Sequence, residues 1–509
     1  MNTLSKKIVE RLPAENLSVP SVTVFDLPER VLQFGTGVLL RGLPDHFIDL
    51  ANKQGIFNGR VLVVKSTATG GTDAFAKQDG LYTILEKGVV NGAVQEYTYI
   101  NAAITRVLSA AEQWSEILAA AANPDLQLII SNTTEVGIVW EEADITAVVP
   151  VSFPGRLLAF LEERYRVSNG SAEAGMVIVP TELIVDNGTK LREIVLALAT
   201  KKKLPAAFID WLTHANEFCN SLVDCIVPGK LAATEQAKAE EQLHYQDELM
   251  IMSEPYRLWA IETSRQRTKE ILSFSTCNEG VILAADINKF RELKLRLLNA
   301  THTLSCGLAH LSGFATVKAA MQDPLFESFI STLVFKEIVP LVTGETISVE
   351  EAVAFGKQVL DRFRNPHIEH LWLNITAQYT SKMQMRVVPL VKKHFAVSTE
   401  VPVCMATGFA CFLLFMRSDQ QAKNQFYGHY NGKTYPIQDD KASLMYQPWQ
   451  SGTNPRWVVQ NSLRNIDIFG EDLSAYPVFT EAVLEIVELL VAEGPEKTVS
   501  SILAKKALA

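Results

Sequence analysis

The chain has 509 residues, of which 48% are hydrophobic and 20% charged, with a net charge of −10. Its length exceeds one ordinary core and points to two domains or three, and its composition is that of a globular protein. The acidity excludes a general nucleic-acid binder, which needs a basic face to displace counterions from phosphate, but leaves room for an anionic small substrate.

Residues 1–20 carry Lys6, Lys7 and Arg11 without an apolar run of signal-peptide length, so a cytoplasmic location is expected. Residues 30–34 (RVLQF) read as a short buried strand and Gly35 to Gly37 as a turn. A helix is expected over residues 39–54, with Pro44 bearing on where its regular part begins, then a second strand over 60–64 (RVLVV). Further strands are expected at 126–131 (LQLIIS) and 176–180 (MVIVP), with helices over 110–122 and 154–165. Short buried strands alternating with helices imply a parallel, doubly wound sheet. From about Asn288 the apolar spacing turns helical: 290–310, 324–334, 349–364, 401–416 and 478–493. The Asn-Gly pair in residues 427–435 (YGHYNGKTY) suggests a small hairpin. The run 401–416 stops short of the roughly 20 residues a bilayer needs, so no membrane span is expected. The six cysteines form no CxxC pair, and reduced thiols are expected. The expected architecture is α/β, with a Rossmann-like N-terminal domain over residues 1–280 and a mainly α-helical C-terminal domain over residues 281–509.

In the segment FGTGVLLRG, Gly35 and Gly37 lie straight after a strand and before a helix. Glycine permits the tight turn, then lets backbone approach a pyrophosphate at a helix N-terminus. The next glycine, Gly42, comes later than G-x-G-x-x-G requires, and the alternative is an ordinary tight turn. The second strand ends VVKST, without the acid that would hold an adenosine ribose. Lys65 and Ser66 suit a 2′-phosphate and Asp73 follows nearby, so NAD and NADP both stay open on chemistry alone. The polar loop 132–137 (NTTEVG), with Thr134 and Glu135, follows a sheet strand and is a candidate cofactor edge.

The segment FRELKLRLLNATHTL holds Lys294, Asn299 and His302. At about 100° per residue, Asn299 lies about 140° and His302 about 80° from Lys294, so the three share one broad side with Leu295 and Leu298. Such a mixed side suits the wall of a partly desolvated cleft. Hydride reduction of a ketone builds negative charge on oxygen, which calls for a proton donor and neutral hydrogen-bond donors; lysine and asparagine supply these. The alternative is a structural helix with a solvated lysine and a hydrogen-bonded core asparagine.

KLRLLNATH resembles the catalytic K-x4-N-x2-H element of the mannitol dehydrogenase family, the polyol-specific long-chain dehydrogenases. FGTGVLLRG resembles that family's glycine turn with its trailing arginine, Arg41. KQDGLYTILEKG (77–88), TTEVG, VDNG with Asn187, SLVDCIVP with Asp224 and EPYRLWAIE (254–262) resemble further family segments in the right order. The last of these resembles the start of the C-terminal module. The resemblance implies a metal-independent, NAD-dependent dehydrogenase. Lys294 would be general acid/base, Asn187 and Asn299 the oxyanion hole, and His302 the group positioning Lys294 or substrate. Asp224 would be a polar group near the substrate. Gly35, Thr36, Gly37, Val38 and Arg41, with Thr134 and Glu135, would meet the cofactor.

The family's R-x7-K element, which binds polyol hydroxyls, departs here: NITAQYTSK has Asn374 in place of the arginine and retains Lys382, with Arg386 four residues on. This variant resembles the hexuronate branch of the family, whose substrate is a keto-uronic acid; Lys382 or Arg386 would then pair with its carboxylate. For Arg386 the alternative is a structural ion pair. Reduction of fructuronate or fructose on the same frame is the nearest rival activity, and a non-catalytic cofactor-binding sensor the rival from another class. His367 and His370 in NPHIEH complete no zinc signature.

Overall fold

The fold is a computed structural model that describes residues 1–12, 16–67, 71–133, 136–422, 425–451 and 454–508. The chain forms two compact units, one of Met1–Gly88 with Val94–Ile287, the other of Val89–Ala93 with Asn288–Ala509.

In the first unit the β-branched runs become strands β1 (Glu29–Phe34), β2 (Arg60–Lys65), β3 (Ile104–Ser109), β4 (Leu128–Ser131), β5 (Val177–Pro180) and β6 (Glu217–Phe218). They form one parallel sheet in the order β3-β2-β1-β4-β5-β6. This is the order of a dinucleotide-binding sheet, reversing direction between β1 and β4. Side chains alternate between two apolar layers, as a strand period of two requires. Val31, Val61, Val63, Leu128 and Ile130 meet Leu40, Phe47 and Ile48 on one face. Leu32, Leu62, Val64 and Ile129 meet Leu157, Phe160, Leu191 and Val195 on the other.

Three expectations change in this unit. The helix expected over 39–54 is two, Val38–Gly42 and Pro44–Lys53, because the chain breaks at Leu43 (φ −125°, ψ −79°) ahead of a proline that has no N–H to give. The helix expected over 110–122 contracts to Trp114–Ala119 and a short 3-10 turn, Ala120–Ala122. EPYRLWAIE belongs here and not to the second unit: Leu258–Glu262 pairs antiparallel with Ser221–Asp224 and parallel with Val281–Ala284. That last strand carries the first unit past the expected limit at residue 280. A hairpin not expected from the sequence, Tyr82–Val90 with Ala93–Asn101, turns at Asn91 and Gly92, both at positive φ (53° and 78°).

The second unit is helical, with Val349–Phe363, Val403–Phe415 and Pro477–Glu493 close to their expected bounds. The expected hairpin is present: Gln425–Tyr430 pairs with Lys433–Ile437 across Asn431 and Gly432 (φ 47° and 74°). No helix among the described residues is long and apolar enough to cross a membrane.

The expected helix over 290–310 holds the main surprise. It runs as α-helix Asn288–Leu293, π-helix Lys294–Ala300, then α-helix Thr301–Leu311. Leu333–Ile338 and Met383–Val387 are also π-helical, and the π segment at Lys294 packs against both. The latter two run into Pro340 and Pro389, which give no N–H to the carbonyl four residues before, so the ladder widens there. Arg296 supplies donors instead: its Nη1 gives hydrogen bonds to the carbonyls of Met385 (2.8 Å) and Arg386 (2.9 Å). From the middle π segment the buried Glu337 carboxylate accepts the N–H groups of Cys404 and Met405, both at 2.9 Å. It thereby caps the helix Val403–Phe415, buried from Cys404 onward, at its positive end. Replacing Glu337 by alanine leaves two buried donors unsatisfied and is expected to destabilise the protein by about 2–4 kcal/mol in urea unfolding.

Candidate active site

Gly35 follows β1 with φ 125°, and its N–H bonds the Val64 carbonyl (2.9 Å). A Cβ there would stand 2.9 Å from the Asn132 carbonyl beyond β4. Only glycine fits, on backbone and on space. Gly37, the N-cap of Val38–Gly42, is exposed, and a Cβ on it would meet nothing within 4 Å. The turn is therefore tight on its sheet side and open on its outer side, at the point where strand order reverses. That fits a pyrophosphate approaching backbone. Thr36 is half-buried, and Val38 packs on the core. Gln33 Nε2 lies 3.3 Å from both the Gly35 carbonyl and Asp45 Oδ2. Burial pushes the Asp45 carboxyl up to about 7. At the end of β2, Lys65 Nζ turns back onto the Thr67 carbonyl (2.6 Å) and Arg156 Nη1 holds the Ser66 carbonyl (3.0 Å).

Two expected ligand residues face inward. Arg41 is buried, gives Nη1 to the Leu249 carbonyl (2.5 Å) and lies over the Tyr82 ring (5.3 Å). Its guanidinium braces the fold through these contacts. Asn187, fully buried, points its amide nitrogen at the carbonyls of Pro180 (3.0 Å), Glu182 (3.1 Å) and Ser221 (3.1 Å). Its oxygen accepts from Gly188 and Ser221, each 2.9 Å. With two N–H groups and three carbonyls around them, no donor remains for an oxyanion, so the expected role of Asn187 is corrected to a clasp joining β5 to Ser221–Asp224. Asp224 is buried in that strand opposite Leu258. Thr134 and Glu135 lie outside the described residues. Next to them is a group the sequence reading missed: the buried Glu182 carboxylate accepts from Ser131 Oγ (3.1 Å) and from Thr133 N and Oγ1 (2.9 Å each), tying the loop after β4 to β5. Glutamate after a strand carries no distinctive signal in one sequence.

In the second unit, Lys294 and Asn299 are half-buried and His302 is buried. The π register of Lys294–Ala300, with its i→i+5 ladder, widens the turn beyond 3.6 residues. Asn299, five residues on, therefore swings toward the face of Lys294, closer than on the ideal α wheel. His302 stacks on Phe363 (centroids 4.1 Å, 18°) and meets His370 (5.2 Å, 74°) and Trp372 (6.0 Å, 77°) edge-on. Burial first, then the charges of His370, Arg362, Arg386 and Lys382, hold its pKa well below the ordinary value, so the imidazole is neutral. Arg386 Nη1 donates to Thr303 Oγ1 (3.2 Å), which donates to the Asn299 carbonyl (2.8 Å). Lys382 Nζ donates to the Ile375 carbonyl (2.8 Å), and burial followed by the charge of Arg386 lowers its pKa. Asn374 is exposed. Arg386 thus touches the lysine helix at Thr303, and the charges of Lys382 and Arg386 both act on His302. The sequence reading missed Arg362 and set His370 aside as a weak metal candidate. Among the described residues no group of His, Cys, Asp or Glu is placed to hold a metal ion.

Residues 29–272 match the mannitol dehydrogenase Rossmann domain and residues 286–491 the mannitol dehydrogenase C-terminal domain. The chain belongs to the mannitol dehydrogenase family. It is thereby a nicotinamide-dependent oxidoreductase acting on CH–OH groups. It is 34% identical over 485 residues to the altronate oxidoreductase of Halalkalibacterium halodurans, covering 94% of each chain. It is 33% identical over 483 residues to that of Yersinia enterocolitica, covering 93% of this chain and 97% of the relative. Among solved structures, its fold matches Pseudomonas fluorescens mannitol 2-dehydrogenase in ternary complex with NAD and D-mannitol (TM-score 0.70, 20% identity, 99% of this chain and 100% of that one). It also matches substrate-free D-sorbitol dehydrogenase (TM-score 0.78, 18% identity, 98% and 100%).

Gly35→Ala adds about 1–3 kcal/mol of backbone strain beside the Asn132 carbonyl and is expected to weaken binding of the reduced nicotinamide cofactor about tenfold or more in fluorescence titration. Asn187→Ala is expected to lower stability by about 2–4 kcal/mol in urea unfolding. At temperatures where the variant remains folded, its turnover should stay within a few-fold of the parent, because its donors serve carbonyls and not substrate; a loss as deep as that of an acid/base variant would restore it to the oxyanion hole.

Proposed function

We propose that the chain interconverts D-tagaturonate and D-altronate with NAD(H). The observation that carries this reading is the hydrogen bond of Arg386 to Thr303 on the lysine helix, with the charge of Lys382 also acting on a neutral His302. That arrangement suits a substrate with an anionic end, and the altronate oxidoreductases align with the chain over nearly its whole length. The first unit would hold the dinucleotide by the backbone of Gly35, Thr36 and Gly37. The nicotinamide, when bound, supplies a hydride in reduction and accepts it in oxidation. In reduction, the ketone oxygen gains the electron pair of its own π bond as the carbon gains hydride. Lys294 gives that oxygen a proton and is left as the neutral amine. Asn299 donates an amide N–H to the oxygen while the charge develops, and acts there without the second asparagine first assigned to it. His302, neutral and stacked on Phe363, fixes the orientation of the helix face and offers a nitrogen to a substrate hydroxyl. In oxidation the same groups run in reverse, with Lys294 taking the hydroxyl proton.

Lys294→Ala is expected to lower kcat about 10²- to 10⁴-fold with NADH affinity retained, since acid–base catalysis is worth about that much. Turnover of tagaturonate, fructuronate and fructose, each with NADH and NADPH, tests the substrate. Tagaturonate with NADH is expected to give the highest kcat/KM, and fructose as the best substrate would overturn the reading.

A further inference from the structure

Beneath the glycine turn the first unit buries an amide and a carboxyl group side by side. Gln33 on β1 and Asp45 on the helix Pro44–Lys53 are both fully buried. Gln33 Nε2 donates to Asp45 Oδ2 and to the Gly35 carbonyl, each at 3.3 Å. The carboxyl group is thus two hydrogen bonds away from the backbone of the turn. The Gly35–Thr36 peptide bond is trans, so the Thr36 N–H points opposite to that carbonyl, away from Gln33. The other two oxygens of the pair, Gln33 Oε1 and Asp45 Oδ1, are buried and have no hydrogen-bond partner among the described residues. Each belongs to a group that already shares the Nε2–Oδ2 hydrogen bond. Both can only accept while Asp45 is ionised, and a single proton on Oδ1 supplies the missing donor. Burial pushes the Asp45 carboxyl up to about 7; the Gln33 hydrogen bond and the charge of Arg41 oppose this, and the charge of Asp49 adds to it. Arg41 gives Nη1 to the Leu249 carbonyl (2.5 Å), and Asp49 pairs with Lys53 (2.7 Å) and accepts the Ala102 N–H (2.9 Å). From the hairpin, Tyr82 donates to the Arg41 carbonyl (2.9 Å) and Asn101 Nδ2 to the Asp45 backbone carbonyl (3.0 Å). Asp247 acts on Arg41 and Tyr82, and burial, then the charges of Arg257 and Lys53, keep the neighbouring His46 neutral.

We infer that Asp45 carries a proton when the cofactor is bound, its O–H closing a reciprocal pair with the Gln33 amide beneath the turn. The pair fixes the Gly35–Thr36 peptide, and the neutral carboxyl removes a buried negative charge from the place a pyrophosphate approaches. This rests on the reading that the backbone of Gly35, Thr36 and Gly37 holds the dinucleotide. A carboxylate two hydrogen bonds from the turn repels a pyrophosphate through protein of low dielectric; a carboxylic acid does not. Asp45 touches no reacting atom and acts through Gln33, as a positioning residue. Binding and protonation are therefore linked. The cofactor draws a proton onto Asp45, and its affinity falls as pH rises through the range where the free protein loses that proton.

The test measures the Kd of NADH by fluorescence titration of the full chain and of Asp45→Asn, between about pH 6 and about pH 8.5. Neither the pyrophosphate nor the dihydronicotinamide of NADH titrates in that range. The parent should bind NADH about five- to twentyfold more weakly at the alkaline end. Calorimetry at about pH 7, in two buffers of different ionisation enthalpy, should show uptake of about half a proton on binding. Asparagine keeps an acceptor for Gln33 Nε2 and adds a donor for Gln33 Oε1, so it stands in for the protonated acid. Asp45→Asn should therefore bind NADH with a Kd independent of pH and within about twofold of the parent's value at the acid end. If Asp45→Asn does not fold, proton uptake by the parent decides. Parent affinity that is flat or rises with pH, absence of proton uptake, or the parent's slope retained in Asp45→Asn would each overturn the inference. A Gly35→Ala protein that binds NADH as tightly as the parent would instead overturn the reading of the turn.

Discussion

Arg296 holds together the part of the second unit that bears Lys294, Asn299 and His302. Its guanidinium bonds the carbonyls of Met385 and Arg386, in the π segment that runs into Pro389. A proline has no N–H for the carbonyl four residues earlier, so that helix needs an outside donor. The donor comes from the π segment that bears Lys294 and Asn299. Arg386 returns the contact by donating to Thr303 on the same helix, and Glu292 steadies Arg296 through Nε (3.2 Å). The helix of Lys294 and the segment of Arg386 are therefore set by one reciprocal clasp between two helices. Neither helix could keep its irregular register alone, because a widened turn exposes carbonyls that must find donors elsewhere.

In the first unit the governing constraint is steric. The end of β1 crosses within contact distance of the Asn132 carbonyl, and a glycine at φ 125° is what lets it do so. The rest of the family's N-terminal pattern supports this crossing from beneath. Arg41 braces Leu249, Arg257 Nε bonds the Gly42 carbonyl (3.1 Å), and Asn187 clasps three carbonyls. Residues that recur in a catalytic family's sequence pattern can thus serve the scaffold, and burial with saturated hydrogen bonds is what tells the two kinds apart.

The electrostatics of the second unit run against the chain as a whole. An acidic protein keeps cations around two neutral imidazoles and a buried lysine helix. Burial removes the imidazole protons, and the neighbouring guanidinium and ammonium groups disfavour their return. The result is a pair of neutral imidazoles with cations acting on them.

By itself the sequence determined what depends on neighbours along the chain. Buried strands β1, β2, β4 and β5 were legible from short β-branched runs, and Val349–Phe363 and Val403–Phe415 from helical spacing. The hairpin at Asn431 and Gly432 was legible from two residues able to take positive φ. The spacing of Lys294, Asn299 and His302 marked the helix proposed to be catalytic. Tertiary structure alone decided the rest, because those outcomes hang on groups distant in sequence. The π register at Lys294 belongs to a helix whose Arg296 answers carbonyls 89 and 90 residues away. Asn187 keeps no amide N–H free because carbonyls such as that of Ser221, 34 residues on, take its donors. His370 joined His302 only when its loop folded back beside it. Periodicity records which face of an element is apolar; it holds no record of which distant carbonyl or charge that face will meet.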